Sequence, residues 1–287
     1  MYAEHTNVSR RTFLATAGGA AVGLEVALLP GNVAQAAEAL PPLPWPYPKS
    51  GLNVIELRQT AYKNYYSTLP GCAFCTSQTL IKAIGDGLAA EGAMVNPWPL
   101  LPSGLYKYAN GGVVGWGTIC GALNGAIAVM DLLGVHGKLG EPLMDYFSTT
   151  ELPTGALVGW TPNVGTQTKP LVAIPATISN SPLCHNSVSH WAAVAGVPVS
   201  SALKTERCVR LVADIVAKTA DLLNIYFISG GQVSWVMPAT YAGCYTCHTD
   251  ATMVLASACR SFGLWHKTQP VDCRQYACTC CFVHLLW

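Results

Sequence analysis

Charge is what this chain has least of. Charged residues make up 11% of its 287 residues, and 16 Lys and Arg nearly balance 15 Asp and Glu, for a formal net charge of +1. No basic face is present to neutralise the phosphates of a nucleic acid, and no acidic block forms a solvating tail. An uninterrupted membrane span is missing too. The apolar run from Ala15 to Pro30 is broken by Glu25, whereas a span needs about 20 apolar residues in a row. The phosphate-loop, nucleophile-elbow and H-E-x-x-H patterns do not occur. Gly115-Trp-Gly117-Thr-Ile-Cys120 fails the dinucleotide pattern at its last position and lacks a preceding strand. Glu56, Asp86 and Glu141 stand alone, so nothing nominates a paired-carboxylate mechanism. So little charge fits a chain that covers its surface with a partner subunit or buries a large cofactor.

What the chain has instead is cysteine, 12 residues of it, with 7 histidines. Cys244-Tyr245-Thr246-Cys247-His248 is a C-x-x-C-H pentad, the attachment pattern of a c-type haem. Each of its thiols can add to one vinyl group of a single porphyrin, and the adjoining imidazole falls under the iron as proximal ligand. The plainer reading is half of a Cys-x-x-Cys zinc site followed by a bystander histidine.

The N-terminus favours haem. Ser9-Arg10-Arg11-Thr12-Phe13-Leu14 is a twin-arginine export pattern, and Ala34-Gln35-Ala36 offers an A-x-A cleavage site. Residues 1–36 therefore read as a cleaved signal peptide, with the mature chain starting near Ala37 and delivered to the periplasm. Twin-arginine export moves folded, cofactor-loaded chains, whereas haem c is attached outside the cytoplasm. Both signals in one chain point to one centre loaded before export and one attached after it.

The mature chain divides into a Pro-rich arm (37–50), a helical body (51–235) and a loop-rich C-terminal haem-binding segment (236–287). Pro41-Pro-Leu-Pro-Trp-Pro-Tyr-Pro48 can form neither helix nor central strand. Apolar periodicity predicts helices over 53–67 and 72–88, one capped by Thr118 and running to Leu133, and others over 141–148, 187–195 and 201–224. Residues 225–236 could hold one strand. Gly121 and Gly125, one turn apart, would let a second backbone approach closely. The expected fold class is mainly α.

Five cysteines lie in this body: Cys72, Cys75, Cys120, Cys184 and Cys208. Cys72 and Cys120 follow glycine-rich breaks and are expected near helix N-termini, where unpaired N–H groups lower a thiol pKa and favour the metal-binding thiolate. The alternative is that these are inert cysteines of an apolar core. Spacing alone does not separate the two.

Gly71-Cys72-Ala73, Gly115-Trp-Gly-Thr-Ile-Cys-Gly-Ala-Leu-Asn-Gly-Ala126, Leu183-Cys184-His185-Asn-Ser-Val-Ser189 and Glu206-Arg-Cys-Val-Arg-Leu211 resemble the split-Soret cytochrome c family. They also resemble the wider group built on a GCAxxG motif followed by further cysteines. The similarity runs from about residue 54 to 250. It implies a helical fold, a homodimer, two bis-histidine c-type haems per subunit stacked near the dimer contact, and an iron–sulfur-type centre. On that pattern Cys72, Cys120, Cys184 and Cys208 hold the centre, although Cys75, three residues on, competes with Cys72 for one position.

Of the histidines, His185 lies in the family-like stretch and is favoured as second axial haem ligand beside Cys244, Cys247 and His248. His190, His136, His266 and Met237 remain alternatives. The tail departs from the pattern, because the second attachment motif expected near Cys273 reads Cys273-Arg-Gln-Tyr-Ala-Cys278-Thr279. Either a second haem site is lost or altered there, or the reading frame shifts after about residue 272. The function expected is an exported electron-transfer cytochrome using haem c and an iron centre, handing electrons to an unidentified redox protein. The alternatives are a haem-dependent small-molecule reductase with an open iron site and a structural zinc protein.

Overall fold

The computed structural model describes residues 40–235, apart from 103, 232 and 234. The signal segment, the pentad at 244–248 and the altered motif at Cys273 lie outside the described residues.

Within them the fold is mainly helical: α1 (Val54–Ser67), α2 (Cys72–Ala90), α3 (Gly121–Leu132), α4 (His136–Thr149), α5 (Cys184–Ala195) and α6 (Ala202–Phe227), with short 3-10 turns at Trp98–Leu100, Lys107–Ala109 and Gly155–Leu157. β-pairing among the described residues is confined to isolated bridges. No described helix is long and apolar enough to cross a membrane.

α6 is the axis of the bundle. It packs along α1 and also touches α2, α3 and α4. Val212, Ala213, Ile215, Val216 and Ala220 are fully buried, so this helix is covered on several sides rather than along one stripe. Ser201 caps its start, accepting from the Lys204 N–H, and Asn53 caps α1 in the same way through the Glu56 N–H.

α2 and α3 lie in close backbone contact because of two glycines. A Cβ at Gly125 would fall 2.5 Å from the Ala73 carbonyl oxygen, and one at Gly121 would fall 2.5 Å from that of Ala109 and 3.0 Å from the Cys72 Cβ. The expected close approach is therefore present, and it sets the start of α2 against the start of α3.

The proline arm is tied down. The Trp98 indole N–H donates to the Pro46 carbonyl, and the Trp45 and Trp98 rings meet edge to face at 5.3 Å. Asn224, near the end of α6, accepts from the Tyr47 hydroxyl at 2.7 Å and the Leu52 N–H at 2.8 Å, and donates back to the Leu52 carbonyl.

The loop-rich stretch before α5 is held by buried polar groups at four-residue spacing on α6. Glu206 accepts from Tyr62, Tyr66 and Arg210; Arg210 also donates to the Val172 carbonyl. Asp214 accepts from the Thr154 backbone N–H and hydroxyl, each at 2.7 Å, and pairs with Arg58.

Three expectations need correction. α3 begins at Gly121 with Cys120 as its cap, because the Thr118 hydroxyl donates to Gly112 instead. α4 starts at His136, five residues before the expected 141, and carries Pro142 inside it. Residues 225–227 continue α6, and no strand occurs at the described positions between 225 and 236.

Candidate metal centre

Four of the body cysteines come from four separate segments. Cys72 is the first residue of α2 and Cys184 the first of α5; Cys120 caps α3, and Cys208 lies within α6. A short antiparallel contact aligns two of them. The Cys120 N–H donates to the Pro182 carbonyl at 2.9 Å, and the Cys184 N–H donates to the Thr118 carbonyl at 2.7 Å, flanking the bridge between Ile119 and Leu183. The His185 N–H follows, donating to Gly117 at 3.0 Å. Those bonds satisfy orphan donors at the start of α5. They explain why the helix begins at Cys184, three residues before the expected Ser187.

The thiols feel one another electrically. Burial, and then the neighbouring Cys208, Cys120 and Cys184, raise the Cys72 thiol well above its ordinary value, partly opposed by a hydrogen bond with the Tyr65 hydroxyl. Burial and the nearby Cys184 push Cys120 up to about 12, against the pull of the Ala122 N–H and Arg207. Cys184 is raised by burial and by Cys208, opposed by Arg207 and Lys204. The lowering expected from helix N-termini is thus overturned: desolvation and mutual repulsion outweigh the helix dipole. Without a cation these thiols stay protonated, and a metal that binds them must displace protons.

Cys75 points elsewhere. It is fully buried, its thiol donates to the Ala61 carbonyl at 3.2 Å, and burial pushes it up to about 12. Its side chain is committed to the contact with α1, which leaves Cys72 as the cysteine of that turn grouped with the other three.

Among the described residues no three His, Cys, Asp or Glu side chains close on a single point as a ready-made ion site. A buried cation nevertheless marks the place. Arg207 is 2% exposed, donates through Nη2 to the Ser187 hydroxyl at 2.5 Å, and carries a buried Nε with no acceptor among the described residues. Half-buried Arg58 lies 3.3 Å from Asp214, although its Nε also lacks a hydrogen-bond partner among the described residues, and buried Arg210 is served by Glu206; no described carboxylate serves Arg207. A buried unpaired cation is costly unless an anion accompanies it. Metal-bound thiolates from the adjacent cysteines would be such an anion, so the donor set fits a cysteine-held metal centre. Sequence reasoning missed Arg207, Tyr65 and Ser187. The one available signal was a basic residue beside Cys208 on a helix otherwise burying its faces.

His185 and His190 both lie exposed on α5. The His190 ring contacts the Ile178 carbonyl at 3.0 Å, and His136 pairs with Asp131 at 2.8 Å. The His185 imidazole makes no hydrogen bond to a described residue and stands beside Gly117, where a Cβ would come within 2.9 Å of the His185 Cβ. With φ at +75°, Gly117 is glycine for two reasons, conformation and room for this histidine. Cys244, Cys247, His248, His266 and Met237 lie outside the described residues.

No family model matches the chain. A curated protein, the split-Soret cytochrome c of Desulfovibrio desulfuricans, is 30% identical over 258 residues, covering 84% of this chain and 88% of the relative. A solved structure described as showing a novel iron centre in the split-Soret cytochrome c of Desulfovibrio desulfuricans aligns with a TM-score of 0.55 and 28% identity, covering 71% of this chain and 81% of the other. Identity at that level across most of both sequences, together with the same helical fold, makes this chain a member of the split-Soret cytochrome c family.

Proposed function

We propose that this protein is an exported electron-transfer cytochrome with two kinds of centre. Haem c is bound covalently by Cys244 and Cys247, with His248 as proximal and His185 as distal ligand. An iron centre of the iron–sulfur type is held by Cys72, Cys120, Cys184 and Cys208. The observation that carries the second assignment is the unpaired buried Arg207 beside thiols drawn from four segments. The curated relative, a split-Soret cytochrome c, and the solved structure's iron centre support both assignments.

When bound, the two centres supply reversible one-electron chemistry. The chain's own contribution is to hold and insulate. The Gly121 and Gly125 contacts fix Cys72 against Cys120, and the bonds from Cys184 and Cys120 fix α5 against the Gly-Trp-Gly-Thr segment. The Tyr65 hydroxyl beside Cys72 favours its thiolate, partly opposing burial. Cys120 is buried and Cys72, Cys184 and Cys208 are half-buried, which limits water around the cysteines and makes these interactions stronger than in open solvent. The twin-arginine pattern at Arg10-Arg11 supports export to the periplasm. Low surface charge fits assembly as a homodimer.

The test is chemical composition of the protein matured with haem-attachment machinery. Covalent haem with low-spin spectra is expected, together with non-haem iron and acid-labile sulfide. Cys120→Ser should remove the non-haem iron and spare the haem. Non-haem iron that survives this substitution undiminished would sink the cysteine assignment.

A further inference from the structure

We infer that Arg207 is the built-in counter-cation of the cysteine centre, raising its reduction potential while tying together the two helices that carry Cys184 and Cys208. The inference rests on the reading of Cys72, Cys120, Cys184 and Cys208 as iron ligands.

Arg207 immediately precedes Cys208 on α6, and its Nη2 reaches the Ser187 hydroxyl at 2.5 Å, one turn beyond Cys184 on α5. The guanidinium therefore bridges two ligand-bearing helices. At 2% exposure it cannot be balanced by solvent ions, and its Nε has no acceptor among the described residues. It cannot shed its charge, because guanidinium stays protonated in proteins. Arg210, buried like Arg207 on the same helix, has Glu206 against it at 2.6 Å, so this protein does pair an interior arginine where the partner is a side chain. For Arg207 the missing partner is the negative charge of the liganded sulfurs.

The redox consequence is direct. One-electron reduction of the centre by an external donor adds one negative charge and neither forms nor breaks a bond. A fixed cation at short range in a low-dielectric interior stabilises the reduced form more than the oxidised one. Removing it must shift the couple toward the oxidised state.

The experiment is a potentiometric titration of the full, haem-matured chain with dithionite as donor, following the non-haem centre by electron paramagnetic resonance. Wild type is compared with Arg207→Gln, Arg207→Lys and Arg207→Met. The two neutral variants should shift the reduction equilibrium at least tenfold, about 59 mV downward for a one-electron couple. The lysine variant should stay within threefold of wild type. Arg207→Met, apolar and of similar length, serves where the glutamine variant does not fold. Neutral variants that lose iron while the lysine variant keeps it support the same role. Iron retained in all variants with unmoved potentials overturns the role of Arg207 and leaves the cysteine assignment standing, and so does equal loss of iron from all three. Non-haem iron that is undiminished in the Cys120→Ser variant overturns both.

Discussion

The backbone N–H of Cys184 donates to the carbonyl of Thr118 at 2.7 Å, joining segments 66 positions apart in the chain (184 − 118). With the return bond from Cys120 to Pro182, it brings the first turn of α5 level with the start of α3. Two cysteines and His185 are thereby set on one short stretch of paired backbone. The geometry of the candidate site descends from this contact.

His185 and His190 share a helix but differ in their surroundings, and that difference can be tested. His190 is engaged with the Ile178 carbonyl, whereas His185 makes no hydrogen bond to a described residue. His185→Ala is expected to convert the low-spin haem to a form with an open coordination position that binds carbon monoxide. His190→Ala should leave the low-spin absorption spectrum unchanged. A His185→Ala protein that stays fully low-spin would remove this residue as a ligand.

Cys75 should prove structural. Cys75→Ala is expected to leave iron content unchanged and to cost about 1–2 kcal/mol through lost packing and the lost bond to Ala61. The pH dependence has a defined sign. Burial raises the folded thiol from about 9 to about 12, so the folded state binds the proton more tightly. The stabilisation is present below pH 9 and is lost as pH rises from 9 to 12. Denaturant titrations of metal-free protein at pH 8 and above should show a shallower alkaline decline for Cys75→Ala than for wild type; equal declines would contradict this.

Two glycine substitutions should have opposite effects. Gly125→Ala drives a methyl to 2.5 Å from the Ala73 carbonyl oxygen and should destabilise by about 1–3 kcal/mol, seen as a lower Tm. Gly140→Ala, on α4 with nothing within 4 Å of the added methyl, should stabilise by about 0.5–1 kcal/mol. If both lower the Tm equally, the contact between α2 and α3 does not explain the glycine at 125.

Asn224 ties the proline arm to the end of α6 through Tyr47 and Leu52. Asn224→Ala leaves those groups without their partner and should cost about 2 kcal/mol. Limited proteolysis should then cut faster between residues 41 and 52 than in wild type. Unchanged cleavage would show that the tryptophan contacts hold the arm alone.

The sequence was readable where the signal was local. The 201–224 period lies within α6, the paired glycines named the α2–α3 contact, and the glycines before Cys72 and Cys120 foretold helix starts there. It misled where partners were distant. The start of α5 depends on carbonyls of Gly117 and Thr118, and Thr118 caps no helix because its hydroxyl serves Gly112. Helix-end donors can be satisfied from anywhere in the chain, so their partners leave no local pattern.

Composition, the pentad and the motif run around Gly115–Ala126 were enough to fix the helical class and the family, since periodicity and motif spacing are properties of the chain itself. Which of Cys72 and Cys75 joins the other cysteines, and that Arg207 stands among them without a carboxylate, were decided only by the fold. Both depend on side-chain direction and on burial. Those are set by packing between elements far apart in sequence, and they also turned the cysteine pKa values upward where helix position alone had pointed down.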